Sequence, residues 1–257
     1  MWKLLYQSLR GTSHERSGKD CQDNCLATIL QLSSETFALL ACADGAGSAL
    51  YSELASKCAC EVAITEAARW LEEKQSLSGL TPTDAKQWIE QIRSRLGDLA
   101  TERDVAVREL ATTLLFAIVG EAQACFFQIG DGVIVVETDG AYRHVFWPQN
   151  GDYANTTYFI TDPTALERLQ FTHEQNQIDE IALLTDGLQM LALTYSEQRV
   201  HGPFFAPMFQ ALGSSETAEE LVAPLAGFLG SPAVNDRTDD DKTLVLAKRC
   251  GKDNETI

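Results

Sequence analysis

FALLACADGAGSALYSELAS, residues 37–56, governs the reading of this chain. Its first seven residues form an apolar, strand-like run. Asp44-Gly45 follows, and then a turn into a helical pattern instead of a second strand. Asp-Gly between two strands signals a hairpin. Here the carboxylate ends a buried strand and a helix comes next. The strand fixes the carboxylate, and the glycine lets another group approach the backbone, which suits a site better than a turn.

The same unit recurs. EIALLT runs into Asp186-Gly187 and is followed by LQMLALT, again no clean strand. CFFQIG runs into Asp131-Gly132 with strands on both sides, so a hairpin and a site remain alternatives there. VIVVET-Asp139-Gly140-AYRHVF reads as a plain hairpin. Two acidic groups precede strands: Gln22-Asp23-Asn24 before CLATILQL, and Asp239-Asp240-Asp241-Lys242-Thr243 before LVLA. In an antiparallel sheet the start of one strand lies beside the end of its neighbour. Asp23 and Asp240 can therefore share an edge with Asp44 and Asp186. Carboxylates gathered so closely repel unless cations lie between them, and hard divalent ions such as Mg²⁺ or Mn²⁺ suit all-oxygen ligands. The alternative for residues 239–241 is a solvated acidic loop; their direct feed into an apolar strand favours the site.

The rest of the chain bounds the answer. Its 257 residues carry 37 acidic and 20 basic side chains, a net charge of −17, with 45 % hydrophobic content. That supports a folded core and argues against a nucleic-acid binder or an anionic-membrane binder. The seven cysteines (an odd number, with no C-x-x-C) read as reduced thiols of a cytoplasmic protein. Cys21-x3-Cys25 has no second Cys/His pair to complete a zinc site. MWKLLYQSLRG at the start reads as a strand and not as a signal peptide. Leu50, Leu54, Cys58 and Val62 mark a helical stripe. Thr81-Pro82-Thr83-Asp84 resembles a capping box ahead of a helix with Ala85, Trp88, Ile92, Leu96 and Leu99 on one face. A third helix is expected from near Thr217, with Glu220 completing a capping box and Pro224 kinking it or shifting its start. Strands, two long helices, many strands, helices and a last strand make an α+β chain. One domain over residues 1–250 is expected, with 251–257 as a frayed tail.

In order, CQDN (21–24), ADGAGS (43–48), ATTL (111–114), IGDG (129–132), LLTDGL (183–188) and DDKT (240–243) resemble the motifs of the metal-dependent protein phosphatases of the protein phosphatase 2C family, in a compact bacterial form. The likeness spans almost the whole chain. It implies a four-layer α/β/β/α sandwich of two antiparallel sheets flanked by helices, with a two-metal Mg²⁺ or Mn²⁺ centre at one end. By this likeness Asp44 bridges both ions and the Gly45 carbonyl binds the second. Asp186 and Asp240 complete the first, Asp23 orients water, and Asp131 takes a third, weaker ion. The implied reaction is in-line hydrolysis of phosphoserine or phosphothreonine by a water acidified at the two-metal centre, without a phosphoenzyme. The implied partners are phosphoproteins and an opposing Ser/Thr kinase.

Three departures from the family pattern stand out. The stretch before Gln22-Asp23 is longer than usual, so His14, Arg16 or Lys19 could grip the phosphate; the GTSH context favours His14, with a plain surface histidine as the alternative. Gln22 replaces a common glutamate. Ala46 stands where some members carry a histidine, leaving water to protonate the leaving oxygen. Residues 147–162 occupy the place of a variable flap, either touching substrate or forming an ordinary loop. Two other functions compete: a catalytically inactive sensing or binding module, which the retained carboxylates disfavour, and a phosphatase of a small metabolite.

Overall fold

The computed structural model describes residues 1–33, 35–149 and 157–251. In chain order it runs β1 (Trp2–Leu9), α1 (Thr12–Ser17), β2 (Asn24–Gln31), β3 (Thr36–Ala43), α2 (Ser52–Lys74), α3 (Pro82–Glu102), β4 (Leu114–Val119) and β5 (Ala124–Ile129). It continues with β6 (Val133–Thr138), β7 (Ala141–His144), α4 (Ala165–Arg168), β8 (Gln170–Glu174), β9 (Glu180–Leu184), α5 (Gln189–Ala192) and the short pair β10 (Leu193–Thr194) and β11 (Arg199–Val200). The last elements are α6 (Gly202–Ser214), α7 (Val222–Leu229), α8 (Pro232–Asn235) and β12 (Lys242–Arg249). One sheet is ordered β1-β12-β9-β6-β7 and the other β2-β3-β4-β5-β8, and every pairing is antiparallel.

The unbroken apolar strands follow from four layers. In β3, Phe37, Leu39, Ala41 and Ala43 pack against α2 and α3, while Ala38, Leu40 and Cys42 meet the opposite sheet. In β9, Ile181 and Leu183 face that same sheet interface, and Ala182 and Leu184 face outward to α6 and α7. A strand covered on both faces has no place for the polar alternation of a one-sided sheet. The α+β sandwich implied by the motifs is the architecture observed.

Helix α3 matches its sequence signature: Thr81 Oγ1 accepts the Asp84 N–H, and the Asp84 carboxylate accepts the Thr81 N–H. Its Trp88 meets Phe116 and Phe127 edge-on. Helix α2 corrects the expected stripe. Of the four expected residues Cys58 is buried, Leu54 and Val62 are half-buried against the core, and Leu50 precedes the helix and is 70 % exposed. The buried row is one position on: Ala55, Ala59, Ala63, Ala67 and Leu71, all fully buried. Alanines bring the helix axis close to the sheet, whereas a leucine row would hold it away.

The third helix is also corrected. A 3₁₀ turn covers Glu219–Leu221 and α7 begins at Val222, with no cap from Thr217. Pro224 lies in the first turn of α7, where its missing N–H is harmless. The Asp139-Gly140 hairpin is present: Thr138 pairs with Ala141, and both turn residues have positive φ, 55° and 81°. Asp131-Gly132 is not a hairpin, because β5 and β6 belong to different sheets. Residues 150–156 of the expected flap and 252–257 of the expected tail lie outside the described residues.

Ala63→Leu should lower stability by about 1–3 kcal/mol, because the close helix–sheet contact has no room for the added methyls. Val62→Leu, on the half-buried side, should cost well under that. Denaturant melts of the two variants check the difference.

Candidate metal centre

Strand register brings the acidic motifs to one end of the sandwich. Asn24 pairs with Ala43, which sets Asp23 beside Asp44. Leu184 pairs with both Leu244 and Val133, which sets Thr185 and Asp186 beside Thr243 and Gly132. Carboxylate oxygens of Asp44, Asp131 and Asp186 all lie within 4.8 Å of one another, and among the described residues this is the one group of three or more His, Cys, Asp or Glu so arranged. No Cys/His cluster accompanies it among those residues, and all seven cysteines are free thiols.

Each carboxylate is aimed by its backbone. The Asp44 N–H donates to Thr113 Oγ1 (2.9 Å), while Thr113 N–H (2.8 Å) and Thr112 Oγ1 (3.0 Å) both donate to the Asp44 carbonyl. The ATTL motif therefore clamps the Asp44 peptide. Gly45 donates its N–H to the Gln22 carbonyl (3.1 Å). A Cβ on Gly45 would lie 2.6 Å from the Ser52 carbonyl and 2.7 Å from that of Gln22, so only glycine fits. At Gly187 a Cβ would strike the Asp241 carbonyl. Gly130, at φ 115°, turns the chain from β5 toward Asp131. Gln189 Nε2 donates to the Asp131 carbonyl, and Tyr195 Oη donates to Gln189 Oε1.

Asp23 stands behind the cluster. It is 4 % exposed, and its Oδ2 accepts the hydroxyls of Thr185 (2.7 Å) and Thr243 (2.8 Å). Asp240 is exposed at the rim, outside the three-carboxylate group, with Oδ1 accepting the Asp241 N–H (2.8 Å). Asp241 was not singled out by the sequence, yet it is the buried member of its acidic run, 3 % exposed. Its carboxylate accepts the N–H groups of Gly11 and Gln22 (2.6 Å each), and His14 Nδ1 lies 2.9 Å from its Oδ2. The only sequence signal for it was its place directly before a buried strand.

The three candidate phosphate grips lie on or just after α1, a helix that the loop-like sequence did not suggest. His14 is held against Asp241 with 12 % exposure. Arg16 pairs with Asp239 at 3.0 Å, both two-thirds exposed or more, and is not gathered with the carboxylates. Lys19 Nζ donates to the Gly47 carbonyl (2.8 Å), across the ADGAGS loop. Of the flap, Arg93 Nη1 holds the described part by donating to the carbonyls of Ile160 and Asp162.

The electrostatics fit a cation site. Burial, reinforced by the charges of Asp23, Asp186, Asp131 and Asp240, holds the Asp44 carboxyl well above the ordinary aspartate range. Burial and then Asp131 and Asp240 push Asp186 up to about 7. Burial also takes Asp23 to about 8 against the two threonine hydrogen bonds, and raises Asp131. Asp131 Oδ1 is buried without a hydrogen-bond partner. Crowded, dehydrated oxygen donors with an orphaned lone pair are the donor set a hard divalent ion requires.

Residues 10–226 match the family Protein phosphatase 2C, and the chain belongs to that family. It is 38 % identical over 251 residues to Serine/threonine-protein phosphatase 3 of Escherichia coli (strain K12), covering 96 % of this chain and 98 % of that one. Its fold is similar to the catalytic domain of the serine threonine protein phosphatase PstP in complex with 2 manganese ions (TM-score 0.63, 18 % identity, 97 % and 99 % of the two chains). It is also similar to a bacterial serine phosphatase (TM-score 0.62, 17 % identity, 98 % and 100 %).

The raised carboxyls give a pH dependence of defined sign. Without metal, the folded state holds protons that the unfolded chain has lost between pH about 4 and about 8, so stability falls as pH rises through that window. Thermal melts in chelator should show Tm dropping from pH 5 to pH 8, and Mn²⁺ should oppose the drop most at the upper end. Asp131→Asn, by removing one repelling charge, should raise the metal-free Tm at pH 8 by about 2–4 °C and shrink the Mn²⁺ response. A metal-free Tm that rises with pH would contradict the assignment.

Proposed function

We propose that this chain is a metal-dependent phosphoserine/phosphothreonine protein phosphatase, with its catalytic machinery in one domain over residues 1–250. The observation that carries the reading is the convergence of Asp44, Asp131 and Asp186 at the shared end of two sheets in a member of this family. Asp44, the Gly45 carbonyl, Asp186 and Asp240 are the proposed ligands of two Mn²⁺ or Mg²⁺ ions, with Asp131 serving a third, weaker site. When bound, such ions polarise the phosphoryl oxygens and acidify the attacking water.

The chain's own residues supply orientation. Asp23 is pinned through Oδ2, which leaves Oδ1 for a proton of the attacking water. The peptide of Asp44 is fixed by Thr112 and Thr113, so the carboxylate is preorganised before substrate arrives. His14, its ring steadied by Asp241, is the proposed phosphate contact; Arg16 is tied to Asp239 at the surface. Ala46 offers no proton, so the leaving oxygen takes one from water. The substrates on this reading are phosphoproteins made by an opposing Ser/Thr kinase in the cytoplasm. All seven cysteines are free thiols, which suits that setting.

Hydrolysis of p-nitrophenyl phosphate and of a phosphothreonine peptide should require Mn²⁺ or Mg²⁺ and stop in chelator. Asp44→Ala should lower kcat more than about hundredfold. Metal binding without turnover of any phosphoester would point to a sensing module instead. His14→Ala should raise KM for the phosphopeptide; an unchanged KM removes His14 from the phosphate site.

A further inference from the structure

A cavity of about 570 Å³ opens between the loop after Asp44 and residues 159–163, lined from Ala46, two residues beyond Asp44. Ala46, Ala49 and Ala111, each 7–8 % exposed, form its floor with Phe159, as a small apolar cluster separate from the larger cores. Val107, 41 % exposed, stands in its wall. Cavity and cluster share their framework. The Ala46 N–H donates to the Ala111 carbonyl (2.9 Å), and the Ile160 N–H donates to the carbonyl of Thr112 (2.8 Å), whose hydroxyl clamps Asp44.

The lining decides what the cavity accepts. Its two carboxylates are already engaged, Glu109 by the Leu50 N–H (3.2 Å) and Asp162 by the Phe159 N–H (2.8 Å). None of its side chains has a buried polar atom without a partner. Ser48, Arg108 and Thr161 also line the cavity, Ser48 and Arg108 as exposed side chains, but the floor itself carries no polar side chain, so an apolar occupant covers a surface that three alanines leave unfilled.

We propose that this cavity is a substrate subsite taking an apolar side chain of the polypeptide next to the phosphorylated residue. The inference rests on the phosphatase reading and narrows it: a small phosphorylated metabolite has no such side chain to place, and a protein substrate does. Selectivity is expected through KM, since the contact is made equally before and during the chemical step.

The test uses the Mn²⁺-loaded enzyme and phosphothreonine peptides with a Gly/Ser background, in which leucine is placed in turn at each of the positions flanking the phosphoresidue. Leucine at one position should raise kcat/KM about tenfold, mostly through KM. Val107→Trp and Ala49→Phe, which fill the cavity from its wall and its floor, should each abolish that preference, read as a ratio between peptides within one preparation. Equal turnover of all peptides by the wild type overturns the subsite, as does a preference that survives both substitutions. Turnover of p-nitrophenyl phosphate but of no peptide also overturns it while leaving the metal chemistry standing. Turnover of neither removes the phosphatase reading and the subsite with it.

Discussion

Two buried carboxylates bond across the sheets at the end where the acids gather: Asp241, which leads into β12, accepts the Gln22 N–H at the entry to β2, and Asp23 makes the second link. Asp23 leads into β2 of one sheet, and the threonines that donate to its Oδ2 belong to the other, one just after β9 and one in β12. A buried carboxylate is costly unless hydrogen-bonded, so this contact is held tightly or not at all. Most of the remaining interface between the sheets is apolar packing, which is strong but not directional. Asp44, carried by one sheet, and Asp186, carried by the other, are therefore held in register by directional bonds at Asp23 and at the Gln22–Asp241 contact.

The crowding of acids beyond that clamp is maintained by backbone geometry. Thr112 and Thr113 fix the peptide of Asp44, Gly130 turns the chain toward Asp131, and Gly187 lies against the Asp241 carbonyl where no side chain fits. Each restraint holds a carboxylate where its neighbours raise the cost of ionising it. Folding supplies the energy that keeps these like charges together.

Much of this was legible in the sequence, for identifiable reasons. Apolar strands ending in Asp-Gly and followed by no partner strand marked Asp44 and Asp186, because strand chemistry is local and a missing hairpin partner is visible in one dimension. Thr81 and Asp84 declared the start of α3 in the same way. The sequence around Asp131 fits two readings, since the switch of β5 and β6 to different sheets depends on tertiary pairing. The expected face of α2 lies at the edge of the buried one, with Cys58 inside it, because a leucine pattern outweighs alanines whose value lies in closeness to a sheet. Asp241 was missed for a related cause: in a run of three acids, which one turns inward depends on the backbone amides of Gly11 and Gln22, more than two hundred residues away in sequence.

The alanine row of α2 has a consequence beyond packing. The first turn of that helix places the Ser52 carbonyl against Gly45, and Ser56 Oγ donates to the Gln22 carbonyl, which in turn receives the Gly45 N–H. The thickness of the helix–sheet layer is thus transmitted to the loop that carries Asp44. The helix acts as a spacer gauge for the centre, so the small size of Ala55, Ala59 and Ala63 is constrained by chemistry as well as by the core. A larger side chain along that row would therefore disturb the loop of Asp44 as well as the core.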